Sequence, residues 1–225
     1  MSAEESGSIA ADVEFTATPL EFFGRGLLTS ILSALIIPAP WICTWFYRWC
    51  VGKLRIKGES EVSFSGEGGQ IWFPFMATMV LSFAERGAME AGYLLLFWLF
   101  AAVGCYFTLL IARWFWRNIV LSSGTKLAFV GKYWPLLGWT VLLTVSVVTI
   151  IGWAWVAAAL IRWGCRQIEG DDFHVEFLGS GWNILWRSFA FLLSCVLIIP
   201  IPWTAMWLVK WYLSNVSIQR TAPQG

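Results

Sequence analysis

Leu35-Ile36-Ile37-Pro38-Ala39-Pro40-Trp41 runs on to Arg48-Trp49, and it returns almost unchanged as Leu197-Ile198-Ile199-Pro200-Ile201-Pro202-Trp203, running on to Lys210-Trp211. In both copies the first Pro precedes Trp by three residues, and Trp precedes the basic residue by seven. A third copy, Ile150-Ile151-Gly152-Trp153-Ala154-Trp155 leading to Arg162-Trp163, keeps the spacing with Gly152 in place of the proline. In a fourth, Tyr106 stands seven residues before Arg113-Trp114. The chain is therefore read as four degenerate repeats.

With 225 residues, 58% of them hydrophobic, 13% charged and a mean hydropathy of +0.68, the chain lies outside the balance of a soluble domain. Several apolar stretches approach the roughly 20 residues that cross a bilayer as a helix. The 17 tryptophans gather towards their ends, where indole rings favour headgroups. These features predict an integral membrane protein. Cys43, Cys50, Cys105, Cys165 and Cys195 form no C-x-x-C pair and accompany a single histidine, so they read as small core residues. The polar, acidic start, with Glu4, Glu5 and Asp12, does not read as a cleavable signal peptide.

Taken in order, residues 1–25 are expected to be a polar acidic tail, 26–219 a single repeat-built membrane domain and 220–225 a short C-terminal tail. Pro38 and Pro40 are read as kinking one continuous span. Short alternating runs follow each basic-Trp pair. Lys53 to Gly66, turning at Gly58, predicts a surface β-hairpin; 118–131 and 166–179 predict two more. Asn215 to Ile218 reads as a half-hairpin, and Val13 to Phe15 as a stray strand. The second unit holds two apolar segments, 71–83 and 91–112, joined by a polar turn. The expected fold is an all-α integral membrane protein of about five transmembrane helices, with short β-hairpins at the membrane surface.

The distribution of charge predicts its orientation. With five crossings, one side receives Arg25, Arg86, Arg162, Arg166 and Arg187 together with eleven acidic residues. The other receives the remaining ten basic residues and only Glu59, Glu61 and Glu67. Lys and Arg in short loops mark the cytoplasmic face, which predicts an external N-terminus and a cytoplasmic C-terminus. An alternative, in which every unit is a re-entrant pair and all hairpins share one face, mixes the two charge classes and is the less favoured arrangement.

Phe22-Phe23-Gly24, Phe64-Ser65-Gly66, Phe129-Val130-Gly131 and Phe177-Leu178-Gly179, with the turns Pro38 to Trp41, Gly152 to Trp155 and Pro200 to Trp203, give the unit its pattern. This pattern resembles the repeats of the YjgN-like bacterial inner-membrane family, a domain of unknown function. The resemblance implies a multi-pass protein of the bacterial cytoplasmic membrane and supplies no catalytic residues.

Trp41, Arg48, Trp49, Arg113, Trp114, Trp155, Arg162, Trp163, Trp203, Lys210 and Trp211 are expected to act as interfacial anchors, the basic residues snorkelling to headgroups beside indole rings. Arg187, near Trp182 and Trp186, reads the same way. Glu85 and Glu90 read as a solvated loop, and His174, beside Asp171 and Asp172, as a solvated strand residue. No catalytic triad, zinc motif or phosphate loop is present, and neither a cofactor nor a metal is expected. The function expected is a non-catalytic structural or accessory subunit whose partners are membrane lipids and other integral membrane proteins, not nucleic acid. A repeat-built transporter or channel, and a lipid-handling or lipid-sensing protein, stand as alternatives.

Overall fold

The computed structural model describes residues 10–11, 13–57, 59–149, 151–170 and 173–220. The Gly58 turn, Asp171-Asp172, the acidic residues Glu4, Glu5 and Asp12, and tail residues 221–225 lie outside them.

Four helical hairpins leave and re-enter one ring of short strands. Before the first hairpin come β1 (Ala10–Ala11) and β2 (Val13–Phe15); then α1 (Pro19–Ser33) and α2 (Ala39–Gly52) lead to β3 (Leu54–Ile56). In the second unit β4 (Val62–Phe64), α3 (Gly68–Glu90) and α4 (Leu94–Arg117) lead to β5 (Ile119–Leu121). The third runs β6 (Ala128–Phe129), α5 (Tyr133–Val147), α6 (Trp153–Arg166), β7 (Ile168–Gly170), and the fourth β8 (Phe173–Phe177), α7 (Gly181–Leu197), α8 (Ile201–Ser214), β9 (Val216–Arg220).

The strand pairing corrects the expected fold class. In each unit the strand before the helices pairs antiparallel with the strand after them: β2 with β3, β4 with β5, β6 with β7 and β8 with β9. A chain that returns to the strand it left has not crossed to another face, so the five-crossing arrangement fails and all strands share one side. β1 pairs with β9, so the first and last described strands lie side by side. Among the described residues, Leu94–Arg117 alone is long and apolar enough to cross a membrane. Pro38 and Pro40 do not kink a helix; they open a new one after a reversal, Pro40 within the first helical turn where its missing N–H is tolerated. The expected 53–66 hairpin is also absent, since its two runs became β3 and β4, which pair with other strands.

The strands close a circuit. β3 touches β4, a Val120–Lys126 bridge carries β5 towards β6, β6 to β9 form one sheet with β1, and one residue separates β1 from β2. Around the same circuit α2 packs on α3, α4 on α5, α6 on α7 and α8 on α1. Residues from all four units fill the ring interior, among them Val51, Val62, Leu121, Ile168, Val175 and Ile218. They surround an apolar cavity of about 230 Å³.

Candidate functional site

The repeat is made of three joints. First, the residue after the strand phenylalanine donates its N–H to the carbonyl four residues beyond the unit's tryptophan. Thr16 bonds Lys53, Ser65 bonds Asn118, Val130 bonds Gln167 and Leu178 bonds Asn215, at 3.0, 2.9, 2.9 and 2.9 Å. This register makes Phe15-Thr16-Ala17 the first copy of the Phe-x-Gly element. Phe22-Phe23-Gly24, which the sequence suggested, lies inside α1.

Second, that phenylalanine meets the unit's own tryptophan edge to face. The pairs are Phe15–Trp49, Phe64–Trp114, Phe129–Trp163 and Phe177–Trp211, with centroids 6.3, 5.3, 6.2 and 6.2 Å apart and interplanar angles of 83°, 79°, 82° and 88°. Such a pair contributes about 0.5–1.5 kcal/mol beyond burial. Trp114 and Trp211 are buried. Indole N–H groups are satisfied inside the chain too: Trp49 donates to Glu21 Oε1 and Trp114 to Gln70 Oε1, equivalent positions in the first turns of α1 and α3.

Third, the basic residue reaches into the next unit. Arg48 Nη2 donates to the Gly66 carbonyl at 3.1 Å, Arg113 to Gly131 at 2.9 Å and Arg162 to Gly179 at 2.9 Å. Lys210, at the end of the fourth unit, is exposed and makes no such bond. In three of the four copies the residue seven before the basic side chain also meets the next unit. Trp41 and Trp155 lie against Gly68 and Gly181, where an added Cβ would come within 2.8 and 2.7 Å of them. Tyr106, the substituted copy, faces Tyr133 at the matching position. Trp41, Trp155 and Trp203 are each about half exposed.

Arg187 and Arg25 occupy equivalent places on α7 and α1. Arg25 Cζ lies 5.2 and 4.8 Å from the rings of Trp45 and Trp49. Arg187 Cζ lies 5.0, 4.2 and 4.7 Å from Trp186, Trp207 and Trp211. Arg187 Nε and Nη1 are buried without a hydrogen-bond partner, so ring faces hold this cation. The Trp186 neighbour was visible in the sequence; Trp207 and Trp211, four residues apart on the returning helix, were not.

The hairpin tips are the other shared construction. Ile36 and Ile198 have φ of 59° and 61°, and Ile37 N donates to Leu35 O as Ile199 N does to Leu197 O. With ψ of −54° at Ile198, this is the rare, strained form of the γ-turn. Ile151 N makes the same bond to Thr149 O. In the first tip the turn lets every donor be satisfied. From 34 to 42, Ala34, Leu35, Ile36, Ile37, Ala39, Trp41 and Ile42 all donate within the chain, while Pro38 and Pro40 have no N–H to place. The third tip has Gly152 instead of Pro, and its extra N–H goes to Thr149 Oγ1 at 3.0 Å. In the second unit the tip is a Schellman turn on Gly92 (φ 76°), with Tyr93 N bonded to Ala88 O and Gly92 N to Met89 O.

Of the remaining sequence candidates, His174 is exposed on β8. Glu85 and Glu90 belong to α3 and not to a loop. Cys105 is buried, but Cys195 is exposed, against its expected place in a core. Burial beside the ring cavity pushes the Cys165 thiol up to about 11. Among the described residues no three His, Cys, Asp or Glu side chains lie close enough to hold a metal ion. No protein-family model, curated protein or solved structure matches this chain.

Proposed function

We propose that the chain is a non-catalytic membrane module, embedded from one face, with the strand ring at the surface and the helical hairpins entering the hydrocarbon. The observation that carries this is the chemistry of three tips. Residues 26–47, 133–161 and 188–209 contain no charged side chain. Their most exposed residues are aliphatic, with Ile37 74%, Val148 83% and Ile199 80% exposed. Water would not require tip donors to be paired internally; a bilayer does, at several kcal/mol for each unmet group.

Helix lengths shape the arrangement. At 1.5 Å per residue α1, α2, α5, α6 and α8 are about 21–22 Å long. That is short of a hydrocarbon core of about 30 Å. These hairpins enter and return. The 23 and 24 residues of α3 and α4 reach about 35 Å, enough to carry the charged turn at Glu85, Arg86 and Glu90 to the far side. Arg86 is the single basic residue of the fifteen near a tip, so the positive-inside rule favours a cytoplasmic ring. The repeat resemblance favours the cytoplasmic membrane of a bacterium.

The exposed apolar flanks then meet lipid and other membrane proteins, which is the role of an accessory subunit. Pro38, Gly152 and Pro200 lie at helix reversals, and so do not interrupt continuous helices as the transporter alternative required. Extraction in mild detergent, a native gel and mass spectrometry of the band test the role. Fixed larger partners are expected; a lone chain with substrate-dependent flux in vesicles would overturn it.

A further inference from the structure

We propose that the cleft between α3, α4 and α5 is a binding site for a small monovalent cation such as Na⁺ or K⁺, with Glu85 as its charge partner. The cleft has a volume of about 300 Å³. Three helices present small polar groups to it: Thr78, Ser82 and Glu85 on α3, Cys105 and Thr108 on α4, and Thr140 and Thr144 on α5.

Hydroxyl bookkeeping sets the sign of the ligand. Thr78 donates to Pro74 O at 2.8 Å, Ser82 to Thr78 O at 2.9 Å and Thr108 to Gly104 O at 3.0 Å. Thr140 donates to Leu136 O and Thr144 to Thr140 O, both at 2.9 Å. A hydroxyl has one proton, and here each is directed at its own helix. What remains facing the cleft is lone pairs. Among the described residues Glu85 has neither a hydrogen bond nor an ion-pair partner, and no basic side chain lines the cleft. Apart from the Cys105 thiol, whose sulfur lies 3.9 Å from Thr140 Oγ1, the polar lining accepts and does not donate; with a carboxylate at its edge it suits a cation and repels an anion.

The class of cation follows from the donors. Six of the seven polar lining groups offer oxygen and one, Cys105, sulfur, a set that suits a hard ion. One carboxylate balances one positive charge, whereas calcium sites gather several. Gly104 on α4 makes room for that carboxylate, since a Cβ there would lie 3.2 Å from Glu85 Oε1. Access exists as well: a second cavity of about 340 Å³ shares Ser82, Glu85 and Phe97 and leads to Arg86 and Glu90 at the tip. The site lies between the second unit, the one with charges at its tip, and α5 of the third, and it is testable apart from the depth at which those hairpins sit.

The test is thermal unfolding of the purified full chain in detergent micelles at constant ionic strength, with NaCl or KCl exchanged for N-methylglucamine chloride. A saturable rise in Tm with one alkali ion is expected. In Glu85→Gln its half-saturation concentration should rise by at least about tenfold, and in Thr140→Val by less. Equal melting in all three salts, or an unchanged half-saturation in Glu85→Gln, overturns the proposal. Should Glu85→Gln fail to fold, Thr108→Val/Thr140→Val replaces it, and unchanged saturation there is equally fatal. Binding in micelles leaves the membrane reading untouched either way.

Discussion

The guanidinium of Arg113, at the end of α4, donates to the Gly131 carbonyl 2.9 Å away at the entrance to α5, and so fastens the second unit to the third. Arg48 and Arg162 do the same for their neighbours. Replacing any of the three with Ala should destabilise the fold by about 1.5–3 kcal/mol, the range for hydrogen bonds made by charged groups. Lys210→Ala, at the one joint without such a bond, should stay within about 0.5 kcal/mol. Denaturant titration of the four variants in one detergent checks both statements.

Gly131 and Gly179 are fixed by the aromatic ring two residues earlier. A Cβ would sit 2.4 Å from Phe129 or 2.2 Å from Phe177. Gly131→Ala and Gly179→Ala should each cost about 1–3 kcal/mol through overpacking. Adding Phe129→Leu to Gly131→Ala should recover part of that loss, because it removes the clashing atoms. Melting temperatures of the single and double variants decide it.

Thr149 and Gly152 do together what proline does in the first and fourth tips. Thr149→Val strands the Gly152 N–H and should destabilise by about 1–3 kcal/mol. Gly152 has φ −61°, compatible with proline. The double change Thr149→Val/Gly152→Pro should therefore restore stability towards that of the parent, while an additive loss would separate the third tip from the other two.

Cys165 should resist alkylation at pH 8. Its pKa of about 11 leaves far less thiolate than an ordinary thiol near 8.5. Against the same thiol in the denatured chain, its maleimide rate at pH 8 should be lower by about two orders of magnitude. The rate should climb as pH rises past 10, because the thiolate fraction grows until its pKa is passed. Mass-spectrometric time courses across that range measure it.

The four-unit spacing, the basic-Trp pairs and the alternation of apolar segments with short strands were legible in the sequence. Direction was not. A proline that kinks a helix and one that opens a new helix after a reversal look alike in one dimension, and a γ-turn on isoleucine runs against local preference. Strand partners also escaped, because three of the units pair strands across 34-residue Phe–Trp intervals and the second across 50. The first Phe-x-Gly copy was hidden by Ala17, with Gly24 as a decoy. Glu85 was missed by reading a turn where α3 continues; its spacing from Thr78 and Ser82, seven and three residues, is a helical signal that was present.

The central claim is that the tips lie in hydrocarbon while the ring lies in water. Single spin labels at Ile37, Val148 and Ile199, and at Ser60 and Ser122 on the ring, in a chain lacking its native cysteines and reconstituted in bilayers, test it by collision with oxygen and with a water-soluble nickel chelate. Tip labels favouring oxygen and ring labels favouring nickel are predicted; equal nickel access at tips and ring would contradict the account.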